Sequence, residues 1–188
     1  MRMKIELEQI VAGCQRNDPK AQKRLYEIFS PKLLGLCMRY TTCRDEAQDL
    51  LHDGFIKIFE SINNLGKINH IEHWLYQVMT HTCIDYIRNN TLIQYSDFDT
   101  AEKYTYIPDD DDNKTANPYA DLTMEQIVSA IQSLPPQQRA VFNLCEVEEI
   151  ETKQAAQMLG LTESNTRQQL KRAKELLRKK LNQRIKTI

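Results

Sequence analysis

Glycine and proline are scarce in this chain, five and six among 188 residues. A sandwich or barrel of many short strands needs far more turn punctuation, so the all-β classes are removed first. The glycine-rich spacings that cradle phosphates, G-x-G-x-x-G and the P-loop, do not occur. No apolar run approaches the ~20 residues of a membrane-spanning helix. The opening Met1-Arg2-Met3-Lys4-Ile5-Glu6 lacks the apolar core of a signal peptide. The expectation is a cytoplasmic protein with no membrane insertion. Five cysteines (Cys14, Cys37, Cys43, Cys83, Cys145) form an odd, scattered set without C-x-x-C, which fits reduced thiols better than disulfides or a zinc knuckle.

What is present is an apolar content of 41% spread at helical spacing, which predicts an all-α chain. Lysine and arginine number 25 and acidic residues 26, a near balance that hides a strong local asymmetry. Residues 1–94 carry a balance of +1, residues 95–125 of −7, and residues 126–188 of +5. Within the last part, residues 167–188 hold nine basic side chains against Glu175 alone, and such a local excess is what a polyanion would feel.

The first periodic segment opens at Asp18-Pro19, an N-cap followed by proline at the first helical position. Ala21, Leu25 and Phe29 share a face, and Ser30-Pro31 repeats the start signal, so a break or kink is expected before Leu33, Leu34, Cys37 and Tyr40 continue the stripe. A second helix is expected from about Thr42, with Asp45 at the capping-box offset, to about Ile62, burying Ala47, Leu50, Leu51, Ile58 and Phe59. A third, entered through Asn69 with Glu72 three residues on, carries Trp74, Leu75, Val78, Cys83, Ile84 and Ile87. Residues 91–120 show no sustained period. Their four-aspartate run and two prolines predict a flexible acidic linker. The chain then divides into a helical domain over 1–92, a linker over 93–121 and a second helical domain over 122–188. The second domain repeats the grammar: a helix over 122–133, a break at Leu134-Pro135-Pro136, helices over 137–146 and about 152–159, and a long helix from Glu163 to beyond Leu181.

The sharpest local signal runs from Thr152 to Arg172. Ala155 and Ala156 let a second helix approach closely, Gly160 permits a tight turn, Leu159 and Leu161 plug the corner and Thr162 caps the next helix. That is helix-turn-helix logic, and the helix after the turn sets Ser164, Arg167, Gln168, Lys171 and Arg172 on its polar side, where such groups reach base edges and phosphates from the major groove. Thr166 stands where this motif usually has valine or isoleucine, which predicts weaker packing. The bland alternative is an αα-hairpin with a solvated basic helix.

Two further segments stand out. In Asp45-Glu-Ala-Gln-Asp-Leu-Leu-His-Asp-Gly-Phe-Ile-Lys-Ile-Phe59, the polar residues Asp49, His52 and Asp53 share one face opposite Leu50, Leu51 and Ile58; on spacing alone this is an acidic solvated face. In Glu72–Arg88, the polar side carries Gln77, His81, Asp85 and Arg88. His70, His73, His81 and Cys83 are metal-ligating types, but positions 73 and 81 lie about 12 Å apart along a helix, so no metal site is expected. No nucleophile–base pair stands out either, and an enzyme is not expected.

Taken in order, these segments resemble the bacterial RNA polymerase sigma factors of the sigma-70 family, extracytoplasmic-function (ECF) group. Asp45-Glu-Ala-Gln-Asp-Leu-Leu-His-Asp-Gly-Phe resembles the family's D-E-A-E-D-L-V-Q-E-x-F. His73-Trp-Leu-Tyr with Ile84-Asp-Tyr-Ile-Arg resembles A-W-L-Y and L-D-Y-L-R. Ser133-Leu-Pro-Pro-Gln-Gln-Arg-Ala-Val-Phe resembles x-L-P-x-x-x-R-x-V-F, and Ala173-Lys-Glu-Leu-Leu-Arg resembles A-R-x-x-L-R. The resemblance covers about residues 16–90 and 128–182.

It implies a transcription initiation factor that needs no cofactor and has core RNA polymerase and promoter DNA as partners, with an anti-sigma factor as a further one. By the resemblance, Asp49, His52 and Asp53, with Phe55 beside them, dock on the polymerase; histidine and aspartate replace the usual glutamine and glutamate, implying a shorter, pH-sensitive contact. The loop 62–71 and the helix 72–88 would take the minus-ten element through Asn64, Lys67, His70, Trp74, Gln77, His81, Asp85 and Arg88. There His81 replaces the usual asparagine, and Thr80, Asn89 and Asn90 stand where arginine is frequent. Ser164, Asn165, Arg167, Gln168, Lys171, Arg172 and Lys174 would meet the minus-thirty-five element. Two other readings stay open on the residues alone: a helix-turn-helix regulator that never touches polymerase, and a small metal-dependent hydrolase using His70, His73, His81 and Asp85. The acidic linker is either a mask over the basic C-terminal tract or a spacer.

Overall fold

A computed structural model describes residues 2–63, 70–94 and 122–185 of the chain, with side chains described over 6–63, 70–89 and 122–183. All regular structure among these residues is helical. The first half comprises α1 (Arg2–Cys14), α2 (Pro19–Tyr40), α3 (Arg44–Ile62) and α4 (Ile71–Gln94). The second comprises α5 (Met124–Gln132), α6 (Pro136–Phe142), a π-helical turn (Asn143–Val147), α7 (Thr152–Leu159) and α8 (Glu163–Ile185). The acidic segment, residues 95–121, lies outside the described residues, and α4 carries helix two residues into the range expected for the linker.

Helix α2 starts as its sequence dictates: the Asp18 carboxylate accepts the Lys20 N–H at 3.0 Å and Pro19 occupies the first turn. It does not break at Pro31. Leu25, Phe29, Leu33, Leu36, Cys37 and Tyr40 form one unbroken buried stripe across the proline. Burying each large side chain stabilises by about 1.5–3 kcal/mol. Their sum exceeds the ~3 kcal/mol that an interior proline costs.

Helix α3 begins one residue later than the capping-box spacing suggests. Cys43 is the N-cap and makes no side-chain cap bond; Glu46, not Asp45, reaches back and accepts the Thr42 N–H at 2.8 Å and the Thr42 hydroxyl at 2.7 Å. Helix α1 was not anticipated. It buries Ile10, Val11 and Cys14 and packs on α2 so closely that a methyl group on Gly13 would lie 2.5 Å from the Ala21 side chain. In the second half, a π-helical turn replaces the last turn of the helix expected over 137–146. The α7–α8 corner has the expected chemistry: Gly160 is left-handed at φ 66°, Leu161 N–H donates to Ala156 O at 2.9 Å, and Thr162 caps α8 through the Asn165 N–H at 3.2 Å.

The two halves are not separate. Ala140 of α6 enters the core built by α1–α4, and Ile84 of α4 packs with Leu144 and Ala155 of the second half. Leu159 contributes to both clusters. The helices of the first half and those of the second half are thus in direct contact.

Candidate functional surfaces

Three surfaces collect the residues singled out by sequence. On α3, Asp49, His52 and Asp53 are exposed while Leu50, Leu51 and Ile58 are buried, as the helical spacing requires. Phe55, expected beside them, is 3% exposed, with its ring centroid 4.6 Å from that of Tyr26 and 5.8 Å from that of Phe59, so it supports this face from inside. Sequence reasoning missed two members. Ile56 lies on the same side as Asp49 and Asp53 and is 55% exposed, an apolar side chain held in water. Tyr26 of α2 stacks on His52, with its hydroxyl 3.3 Å from His52 Nε2. The signal for Ile56 was present in the sequence as an apolar residue at a polar position of the helical period.

Along α4, Trp74, Gln77, His81 and Asp85 come together in a groove of about 380 Å³, joined by Val78, Thr82 and Lys57 from α3. Lys57 was not foreseen; its ammonium lies 3.1 Å from the Asp85 carboxylate, and only the packing of α3 on α4 brings them together. Trp74 is half-buried, one flank on the core and one in the groove. Arg88 is exposed one turn beyond Asp85. His70 lies at the start of α4 and lines a larger cleft of about 1730 Å³ between the halves, which Gln77 and His81 also line. Asn64 and Lys67 lie outside the described residues. Among the described residues, no group of three or more histidine, cysteine or acidic side chains is placed to hold a metal ion.

On α8, Ser164, Arg167, Gln168 and Lys171 are exposed on its outer side. Arg167 pairs with Glu163 one turn earlier, and Asn165 accepts the Gln169 amide at 3.1 Å. Arg172 is half-buried at the flank. Lys174 is exposed, with its ammonium 2.8 Å from Glu146 of the π-helical turn in a surface ion pair. Thr166 is fully buried and its hydroxyl donates to Thr162 O at 3.0 Å, which satisfies the one polar atom that valine would lack.

Hydrogen bonds from the Thr42 backbone and hydroxyl lower the pKa of Glu46. Burial pushes the Cys14 thiol up to about 11, and burial also raises Cys83, which leaves Cys43 as the exposed thiol among the described residues.

Comparison with known proteins places the chain in a family. The Sigma-70 region 2 family matches residues 25–92, and the Sigma-70, region 4 family matches residues 124–177. The chain is 27% identical over 154 residues to the ECF RNA polymerase sigma factor SigE of Mycolicibacterium smegmatis, covering 82% of this chain and 59% of that protein. It is 25% identical over 179 residues to the ECF RNA polymerase sigma-E factor of Haemophilus influenzae, covering 92% and 93%. Among solved structures, the sigma factor RpoE in complex with the anti-sigma factor NepR from Bartonella quintana shares the fold, with a TM-score of 0.51 and 19% identity over 85% of this chain and 96% of that one. Region 2 spans α3 and α4, and region 4 spans the helix-turn-helix, which removes the reading as a regulator with no polymerase-related domain. The chain therefore belongs to the ECF group of the sigma-70 family, the non-enzymatic transcription initiation factors that direct bacterial RNA polymerase to promoters.

Proposed function

We propose that the three surfaces divide the work of initiation in the bacterial cytoplasm between two units, 1–92 and 122–188, joined through 93–121. The outer face of α3, with Asp49, His52, Asp53 and Ile56, docks on core RNA polymerase. The α4 groove, with Trp74, Gln77, His81, Asp85, Arg88 and the newly placed Lys57, takes the minus-ten element, and Asn64, Lys67 and His70 precede it in the chain. The outer side of α8 enters the major groove at the minus-thirty-five element through Ser164, Arg167, Gln168 and Lys171, with Asn165 and Arg172 on its flank. Lys174 serves this unit by tying α8 to the π-helical turn. An anti-sigma partner rests on family membership alone.

The observation that carries the docking assignment is the α3 face itself. Asp49 and Asp53 are exposed, and no ion pair or hydrogen bond engages their carboxylates among the described residues, while an isoleucine beside them stays in solvent. Charged rim and apolar centre are what a protein partner buries. Asp49→Lys with Asp53→Lys reverses the charge without touching the core. The double variant is expected to keep its helix content and to elute apart from core polymerase in gel filtration; co-elution at the wild-type ratio would remove the assignment.

A further inference from the structure

On the outer face of α3 one side chain, His52, is of the kind that changes charge between about pH 5 and 8. It sits between Asp49, one turn before it, and Asp53, directly after it, and all three are exposed. Its one hydrogen bond among the described residues runs to a different helix. The Tyr26 hydroxyl of α2 lies 3.3 Å from His52 Nε2, and the two rings are inclined by 20° at a centroid distance of 6.2 Å. Tyr26 is itself held in place: it is half-buried against the first-half core, with its ring centroid 4.6 Å from that of the buried Phe55. From inside to outside the order is Phe55, Tyr26, His52, so a core aromatic sets the position of a polar group on the surface.

The charges around this pair are matched on every side but one. On α2, Glu27 beside Tyr26 takes Lys23 at 3.9 Å and Arg24 at 3.7 Å, and Arg24 reaches Glu6 of α1 at 3.7 Å. On the opposite flank of α3, Lys57 takes Asp85 of α4 at 3.1 Å. Asp49 and Asp53 make no ion pair among the described residues.

A partner that meets two unpaired carboxylates presents basic N–H donors to them. Such donors disfavour a protonated imidazole beside them, since like charges repel. A neutral imidazole has one N–H and one lone pair. When Nε2–H donates to the Tyr26 hydroxyl oxygen, the lone pair is on Nδ1 and can accept from a basic group. When the hydroxyl donates to Nε2 instead, Nδ1 carries the proton and offers a basic group nothing. A tyrosine hydroxyl serves in either role, so a basic partner selects the first tautomer and Tyr26 holds the ring ready for it.

We propose that Tyr26 is a positioning residue for polymerase docking, acting through His52. It takes the Nε2–H and leaves Nδ1 of the neutral ring to accept from a basic group of the polymerase, and docking weakens as falling pH protonates His52. The inference rests on the docking reading given above. Affinities of core polymerase for the full-length wild type, His52→Gln and Tyr26→Phe, measured in steps from about pH 8 to about pH 5.5, test it across the histidine range. Glutamine does not titrate, so the ratio of wild-type to His52→Gln affinity cancels every titration on the polymerase; it is expected to fall several-fold from the top of the range to the bottom. Tyr26→Phe keeps the ring on Phe55 and loses only the hydroxyl. It is expected to bind several-fold more weakly than the wild type at the upper end, with the gap closing at the lower end, where a protonated imidazole has no lone pair for the tyrosine to place. A gap of constant size, or a wild-type to His52→Gln ratio that does not change with pH, overturns the inference. Asp49→Lys/Asp53→Lys, run alongside, separates the two readings. If it loses binding, a flat ratio overturns the inference alone; if it retains binding, the docking reading falls and the inference with it.

Discussion

Glu46 shows how much a single carboxylate can do at the edge of a helix. It accepts two hydrogen bonds from Thr42 and one from the Tyr86 hydroxyl at 3.1 Å, linking the start of α3 to α4. Its lowered pKa means that the unfolded chain takes up this proton first as pH falls. The stability it contributes is fully present above the ordinary carboxylate pKa and is withdrawn as pH drops through the lowered folded value. Urea midpoints of the wild type and of Glu46→Gln should differ at neutral pH and converge under acid; a gap that stays constant from pH 7 to pH 3 would show that charge is not what Thr42 recognises. The pairing of Thr42 with an acidic side chain was legible in the sequence. The partner was not, because counting three residues from Thr42 selects Asp45, whereas the helix starts after Cys43 and its third residue is Glu46.

At the scale of elements, the apolar period of α2, α3 and α4 was readable because long buried stripes repeat it several times. Helix α1 repeats Leu7, Ile10, Val11 and Cys14 only briefly among charges, and so left too weak a signal. Two glycines in helix interiors separate intrinsic propensity from packing. A methyl group on Gly54 would lie 2.4 Å from the Met79 thioether where α3 crosses α4; on Gly35 it would meet nothing within 4 Å. Gly54→Ala should therefore destabilise by about 1–2 kcal/mol, since overpacking outweighs the helical gain. Gly35→Ala should stabilise by up to about 1 kcal/mol. Equal shifts in thermal midpoint would mean that the α3–α4 crossing has room to spare. On α8 the exposed side invites a different contrast. Arg167→Ala should cost about 1–3 kcal/mol on the preferred promoter and relax its specificity, while Lys179→Ala weakens preferred and random duplexes alike. Fluorescence anisotropy with holoenzyme on both duplexes checks this, and equal losses for both variants would reduce α8 to a backbone grip.

Over the whole molecule, helical class, the helix-turn-helix corner and the polar faces of α3 and α4 could all be read from local pattern, because each depends on residues within a few turns of one another. The closed arrangement could not. Nothing near Met38, Arg39 or Tyr40 announces that their carbonyls will be met by Gln132, Asn143 and Arg139, and an acidic stretch between the halves argues for separation by composition alone. Capping at such a distance has a consequence during synthesis. Translation runs at about 5–20 residues per second, so some 5–20 seconds pass between the emergence of the α2 end and that of its caps. Throughout that interval the carbonyls of Met38, Arg39 and Tyr40 have water as their partner, and the final turn of α2 is open to ribosome-associated chaperones.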